Sequence, residues 1–262
     1  MKLDFSQYEV RLAQTPEEIA SAQRLRYRVF VDEMGAQAEH ADHARKLESD
    51  PHDAHFDHLI LIDHSQPQED PLDRVRAVYR LLPGSRAAQV GGFYSASEYD
   101  LSILTSRADK LLELGRSCVA PSHRGGAAMH LMWSSLAKYV LSHDIETLFG
   151  VASFHGTDLE PIAHALARLK QAHLAPEPLR VQAHHGPNRV EMSLPSDEPL
   201  DVLRAVQQIP PLIKAYLRLG GYVGDGAFID RDFNTIDVCL VMDTRLMADK
   251  YRDFYTRAAS QL

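Results

Sequence analysis

The chain has 262 residues, 45% of them hydrophobic and 24% charged, which is ordinary for a globular protein with room for a buried core. Its net charge of −8 counts against nucleic-acid binding, which usually needs a basic chain, and no apolar run approaches the ~18 residues of a membrane span. Two cysteines, Cys118 and Cys239, imply no disulfide framework and fit a reducing cytoplasm, and the N-terminus MKLDFSQYEVRL lacks the apolar stretch of a signal peptide.

YEVRLA (8–13) alternates as a strand does. Thr15 and Pro16 then predict a helix over 16–32, with Ile19, Ala22, Leu25, Val29 and Phe30 on its inner face. A polar stretch rich in His and Asp (36–58) leads to strands at 58–63 and 75–82. A loop with Gly91 and Gly92 precedes a short helix near 95–108. KLLELGRSCVA (110–120) reads as a strand, 125–144 as a helix facing inward through Ala128, Leu131, Met132, Leu136, Tyr139 and Val140, and TLFGVASF (147–154) as a buried strand. The Pro-rich middle, 155–210, holds a helix near 158–173. A helix at 211–220, a strand at 236–243 and a closing helix at 245–258 complete the chain. Early strands follow one another without a helix, so the pattern predicts an α/β fold with a mixed, mostly antiparallel sheet flanked by helices. Local arginines, Arg24, Arg26 and Arg28 and then Arg74, Arg76 and Arg80, offer basic patches to an acidic partner despite the overall sign.

The turn after the fourth predicted strand carries chemistry. A glycine-rich segment opening a helix presents backbone N–H groups and the positive end of the helix dipole, both of which favour phosphate. Arg124 adds a charged donor, and Gly125 and Gly126 let the backbone approach closely. A strand-to-helix turn that merely needs glycine is the plainer alternative.

Val119-Ala120-Pro121 followed by Ser122-His123-Arg124-Gly125-Gly126 resembles the acyl-donor loop of the GNAT N-acyltransferase superfamily. The resemblance implies a GNAT-like fold and backbone contacts from Cys118 and Val119 to the thioester. It also implies phosphate contacts at Arg124, Gly125, Gly126 and Ala127. Ala127 stands where that pattern has its first Gly, and Met129 where it has its last small residue. This bulkier loop is compatible with the single phosphodiester of a phosphopantetheine arm. Tyr216-Leu-Arg-Leu-Gly220 resembles the superfamily segment whose tyrosine protonates the leaving thiolate; a tyrosine packed on an amphipathic helix is the alternative.

Three upstream segments resemble acyl-homoserine lactone synthases: Arg26 to Phe30, Asp50-Pro-His-Asp53 and Glu113-Leu-Gly-Arg116, with Gly115 in place of their Ser and without their Trp, Ala36 falling at that place. RLRYRVFVDEMGA, DPHDAHFDHLIL, VYRLL, LELGRSCVAPSHRGG, FHGTD and AFIDRDFNTIDV, in that order, are similar to the bacterial L-ornithine N-α-acyltransferase family over nearly the whole chain. That resemblance implies one domain over 1–262 with a family-type insertion at 155–210. It implies 3-hydroxyacyl transfer from acyl carrier protein to the α-amine of L-ornithine, giving lyso-ornithine lipid, with no permanently bound cofactor.

The reaction needs a base, an oxyanion donor and an acid for the thiolate. Glu113 in its apolar strand is the candidate base, with a salt bridge to Arg116 as the structural alternative. Tyr216 is the candidate acid. Arg26, Arg80 or Arg116 would clamp the amino-acid carboxylate, and Asp50 and Asp53 would take the side-chain ammonium. The inner faces of 110–120 and 147–154 would line an acyl tunnel or simply form core. Other readings are an acyl-homoserine lactone or other N-acyl amino-acid synthase, and a non-catalytic acyl-binding module. The run DPHDAHFDH (50–58) has ligands for zinc but no established zinc spacing, so no metal is expected. A cytoplasmic location is expected, and the amphipathic closing helix could make peripheral contact with the inner membrane or simply pack on the domain.

Overall fold

Thr15 and Pro16 start the first helix as their order predicts. Thr15 is extended, its hydroxyl accepts the Glu18 amide, and Pro16 occupies the first turn, where its missing N–H costs nothing. The helix α1 spans Pro16–Arg26 and then widens into a π-helix over Tyr27–Glu33, with the Met34 amide reaching Val29 O at 3.1 Å. The single helix expected to 32 is therefore two windings, and the β-branched Val29 and Val31 lie in the second. The computed structural model describes residues 6–65, 70–106, 110–125, 127–195 and 198–246. Gly126 and most of the expected closing helix lie outside the described residues.

In chain order the strands are β1 (Tyr8–Leu12), β2 (Asp57–Asp63), β3 (Val75–Pro83), β4 (Tyr99–Asp100), β5 (Leu111–Val119) and β6 (Thr147–His155). They continue as β7 (Gln182–Ala183), β8 (Arg189–Val190), β9 (Tyr222–Val223), β10 (Ala227–Asp230) and β11 (Thr235–Asp243). After α1 come α2 (Gly84–Ala87), α3 (Ser102–Thr105), α4 (Ala127–Ser142), α5 (Ala163–His173), α6 (Val202–Gln208) and α7 (Pro211–Arg218). Two compact units divide the described residues: one runs to Leu82 and resumes over Leu114–Asp144, the other takes Pro83–Glu113 and 145–246.

In the first unit β1 and β2 are antiparallel, Tyr8 opposite Asp63, and β2 pairs antiparallel with β3 through a register shift at Leu61/Ile62. The later part of β5 follows β3 in strand order. Ala22, Leu25 and Val29 pack against Ile60, Val78 and Cys118. Burying each such Leu, Ile or Val contributes about 1.5–3 kcal/mol. The six residues expected on the inner face of α4 are all buried.

In the second unit the first three residues of β5 run parallel to β6, Glu113 opposite Phe149. β6 then pairs antiparallel with β11 from Thr147–Asp243 to His155–Thr235. β10 lies on the far side of β11, with β8 beyond it, and β9 also pairs with β11. The expected helix near 95–108 is instead a 3₁₀ turn (Tyr94–Ser97), β4 and the short α3. Tyr99 is the reason: it is fully buried, and its hydroxyl reaches the carbonyls of Gly226 and Asp237, both at 3.0 Å. The 155–210 segment holds α5, β7, β8 and α6. No helix among the described residues is long and apolar enough to cross a membrane.

Candidate active site

Three arginines and three carboxylates meet in the interior of the first unit. Arg26, at the last turn of α1, and Arg80, on β3, are both 0% exposed. The turn at Asp50-Pro-His-Asp53 delivers two of the acids together, because Asp50 accepts the His52 amide and the Asp53 amide returns to Asp50 O. Arg26 forks onto Asp53 at 2.6 and 2.8 Å, bonds Glu48 through Nε, and donates to Glu48 O at 2.6 Å. Arg80 Nη1 donates to Asp50 at 2.7 and 2.8 Å and to Asp53 at 2.8 Å. Arg116 completes the set with Glu48 at 3.3 Å and Asp50 at 3.2 Å.

The charges decide the protonation states. Burial would raise the Asp53 carboxyl, but Arg26 and Arg80 outweigh it and hold it well below the usual carboxylate range. Asp50 is lowered the same way, burial being opposed by Arg80 and Arg116. His58 is held neutral by burial, its Nε2 at 2.9 Å from Asp53 O. The network is balanced in charge but not in hydrogen bonds. Arg80 Nε and Nη2 are buried without a hydrogen-bond partner among the described residues. A Cβ added at Gly115 would stand 4.0 Å from that Nη2, so this glycine leaves space beside the unused donor. Unused donors on a fixed guanidinium match a carboxylate.

β5 supplies charged residues to both units. Arg116 has φ 50°, a left-handed conformation rare for a residue with a side chain and typical of functional sites. Three residues earlier Glu113 is 1% exposed, and its carboxylate accepts the amides of Tyr94 at 2.9 Å and Ser95 at 2.6 Å. Those two bonds fix the orientation of the carboxylate.

Cys118 is buried in the core, and burial raises its thiol far above the ordinary range, so any donor contact is through its backbone. The turn that follows is a 3₁₀ segment (Pro121–His123), with Gly125 at φ 73° and Ala127 opening α4. Arg124 is exposed, donates to Val119 O at 3.0 Å and forks onto Glu33 at 2.6 Å twice. A small apolar hollow is lined by Val78, Ser117, Val119, Met129, Met132 and Trp133. In the second unit Tyr216 is buried on α7, and the Gly221 amide returns to its carbonyl at 2.9 Å.

Two sequence readings need correction. Arg24, Arg26 and Arg28 do not form one exposed basic patch, since Arg26 is buried in the ionic network and Arg28 pairs with Asp73 at 2.6 Å. Arg80 is likewise absent from any surface patch. Glu48 and Gln23, which bonds Asp53 at 2.8 Å, were missed; no motif marks Glu48, which is placed by its amide bonding Gln23 O. Of the zinc-like run, Asp50 and Asp53 face arginines and Asp57 accepts the Tyr139 hydroxyl at 2.5 Å.

Residues 25–134 match the acetyltransferase (GNAT) domain family. A relative from Rhodobacter capsulatus, named L-ornithine N(alpha)-acyltransferase, is 56% identical over 250 residues, covering 95% of each chain. The chain belongs to the L-ornithine N(alpha)-acyltransferase family. A relative of the same name from Rhizobium meliloti is 40% identical, with 94% of this chain and 83% of that one covered. The protein is accordingly an N-acyltransferase with the GNAT fold. That fold is shared with the AHL synthase LasI (16% identity, TM-score 0.50, 90% of each chain). It is shared also with FeeM, an N-acyl amino acid synthase from uncultured soil microbes (12% identity, TM-score 0.50, 91% of each chain).

Proposed function

We propose that this acyltransferase moves a 3-hydroxyacyl group from the phosphopantetheine thioester of acyl carrier protein to the α-amine of L-ornithine, giving lyso-ornithine lipid. The observation that carries the reading is Arg80, a fully buried guanidinium with two donor nitrogens unused in a network of balanced charge. An incoming α-carboxylate satisfies those donors, with Arg26 and Arg116 completing the positive side of the pocket. Glu113 takes a proton from the α-ammonium, directly or through water, because only the free amine attacks. The C–N bond forms, the oxyanion is met by backbone amides of β5 near Cys118 and Val119, and the C–S bond breaks. Tyr216 gives its proton to the thiolate and regains one, through water, from the nitrogen, which sheds its second proton as the tetrahedral intermediate collapses. Arg124, Gly125, Gly126 and Ala127 hold the phosphate of the arm, and the hollow beside Trp133 takes the first part of the acyl chain. One acyltransferase domain, elaborated at 155–210, performs this in the cytoplasm, with its lipid product passing to the inner membrane.

The test is a thiol-release assay with 3-hydroxyacyl-acyl carrier protein and single amino acids, with mass analysis of products. N-acylated ornithine is expected. An acyl chain found only on another amine, or release only from acyl-coenzyme A, would overturn the acceptor or the donor respectively.

A further inference from the structure

The segment AFIDRDFNTIDV (227–238) plays no part in the steps above, yet it gathers charge in the second unit. Asp230 on β10 and Asp237 on β11 meet Glu98, which closes the Tyr94–Ser97 turn; a carboxylate oxygen of each lies within 4.8 Å of the others. Glu98 and Asp237 are each 3% exposed, and half-buried Asp230 forms the open side. Register brings in a fourth oxygen. Thr235 stands opposite Asp230 and two residues before Asp237, so all three side chains share one face of the sheet. Thr235 is 2% exposed, and its Oγ1 has no hydrogen-bond partner among the described residues. Three carboxylates and an unused hydroxyl in a largely buried site suit a cation that donates hydrogen bonds in several directions.

The same face carries Glu113. Glu113 is opposite Phe149, Phe149 opposite Val241, and Val241, Cys239 and Asp237 alternate along β11. Burial raises the Cys239 thiol, and Glu98 and Glu113 both push it further, so both carboxylates act on one side chain. The Glu113 carboxylate bonds the Ser95 amide at 2.6 Å, in the turn that ends at Glu98. From Ser95 to Glu98 a 3₁₀ turn rises about 6 Å, and the two nitrogens of extended ornithine lie about 6 Å apart from standard bond lengths. Asp50 and Asp53, the aspartates expected to take the side-chain ammonium, are held by arginines instead.

We propose that Glu98, Asp230 and Asp237, with Thr235, form the subsite that recognises the side-chain ammonium of the acceptor amino acid. A primary ammonium has three donors for three carboxylates. The inference rests on the acyl-transfer reading above.

Kinetics with ornithine and with norvaline, the same skeleton without the terminal amine, test it. In Asp237→Asn the KM for ornithine should rise at least about 30-fold, the loss expected when one buried charge partner is removed. The kcat/KM for norvaline should change little, so the preference collapses. Equal losses for both acceptors would overturn the subsite. Should Asp237→Asn melt too low to assay, Asp230→Asn at the open side and Thr235→Val give the same readout with a smaller expected rise. A divalent ion at one per chain, with activity lost to a chelator and restored by calcium or manganese, would assign the cluster to a metal and overturn the proposal. Wild-type turnover of ornithine checks the acceptor separately. If another acceptor replaces it, a cationic one whose preference is lost in Asp237→Asn retains the subsite, and an uncharged one overturns it.

Discussion

The two buried polar clusters differ in what they lack. In the first unit Arg26, Arg80 and Arg116 are matched by Glu48, Asp50 and Asp53, and what is left over is a pair of donors on Arg80. In the second unit Glu98, Asp230 and Asp237 converge, and what is left over is an acceptor-capable hydroxyl on Thr235. The first cluster can take an anion without disturbing its own pairs. The second gains from a cation.

Removing one partner from the balanced cluster should break the comparison most visibly. Arg26→Met leaves Glu48 and Asp53 without their shared buried cation and should cost about 3–5 kcal/mol in urea unfolding. A change within 1 kcal/mol, roughly one pKa unit of interaction, would mean the network relaxes into water. Asp230→Asn, by contrast, thins a crowd of like charges, and the same measurement should show stability kept or raised. The next effect is kinetic. Glu113→Gln keeps an oxygen for the Ser95 amide but turns an NH2 toward the Tyr94 amide and cannot take a proton, so kcat should fall about 100-fold or more and the melting temperature should drop as well. A rate loss that vanishes at high pH, where the free amine predominates, would support the role as base; a pH-independent loss would point to positioning.

Much of the scaffold was legible in the chain. Thr15-Pro16, the alternation of 8–13, and the inner face of 125–144 carry local signals, and they fold as those signals direct. The site was legible only where a motif marks it. Asp50 and Asp53, with Arg26, Arg80 and Arg116, are marked by motifs, but Glu48 and Gln23 were not named, because they are joined to Arg26 and Asp53 by contacts with no sequence period. The helix expected at 95–108 failed because Tyr99 has its hydrogen-bond partners more than a hundred residues away. Glu98 was missed for the same reason: the carboxylates it meets lie on β10 and β11.

A smaller effect concerns pH and the first cluster alone. Buried His58 refuses a proton that the unfolded chain accepts near pH 6.5. Below that pH the unfolded state binds more protons, so stability falls as pH drops, by at most about 1.4 kcal/mol per unit for one group. His58→Gln should flatten the dependence of urea midpoints between pH 7.5 and about 5. The aspartates extend the trend: their contribution is present above the ordinary carboxylate range and is lost only as pH falls through their lowered values.

The smallest expected stability effect lies at the surface, where it separates folding from function. Arg124 and Glu33 form a well-aligned fork, but both side chains are more than 40% exposed, and such pairs contribute about 0–1 kcal/mol. Neither Arg124→Ala nor Glu33→Gln should therefore move the melting temperature much. Their effects on the carrier should be opposite. A phosphate at the turn competes with Glu33 for the same guanidinium, so Arg124→Ala should raise the KM for acyl carrier protein while Glu33→Gln lowers it. Equal increases in both would make the fork a brace for the loop, with the phosphate held by backbone amides alone. No change in either would place the phosphate away from this turn. Raising the ionic strength should weaken wild type more than Arg124→Ala, because only wild type has that charge to screen.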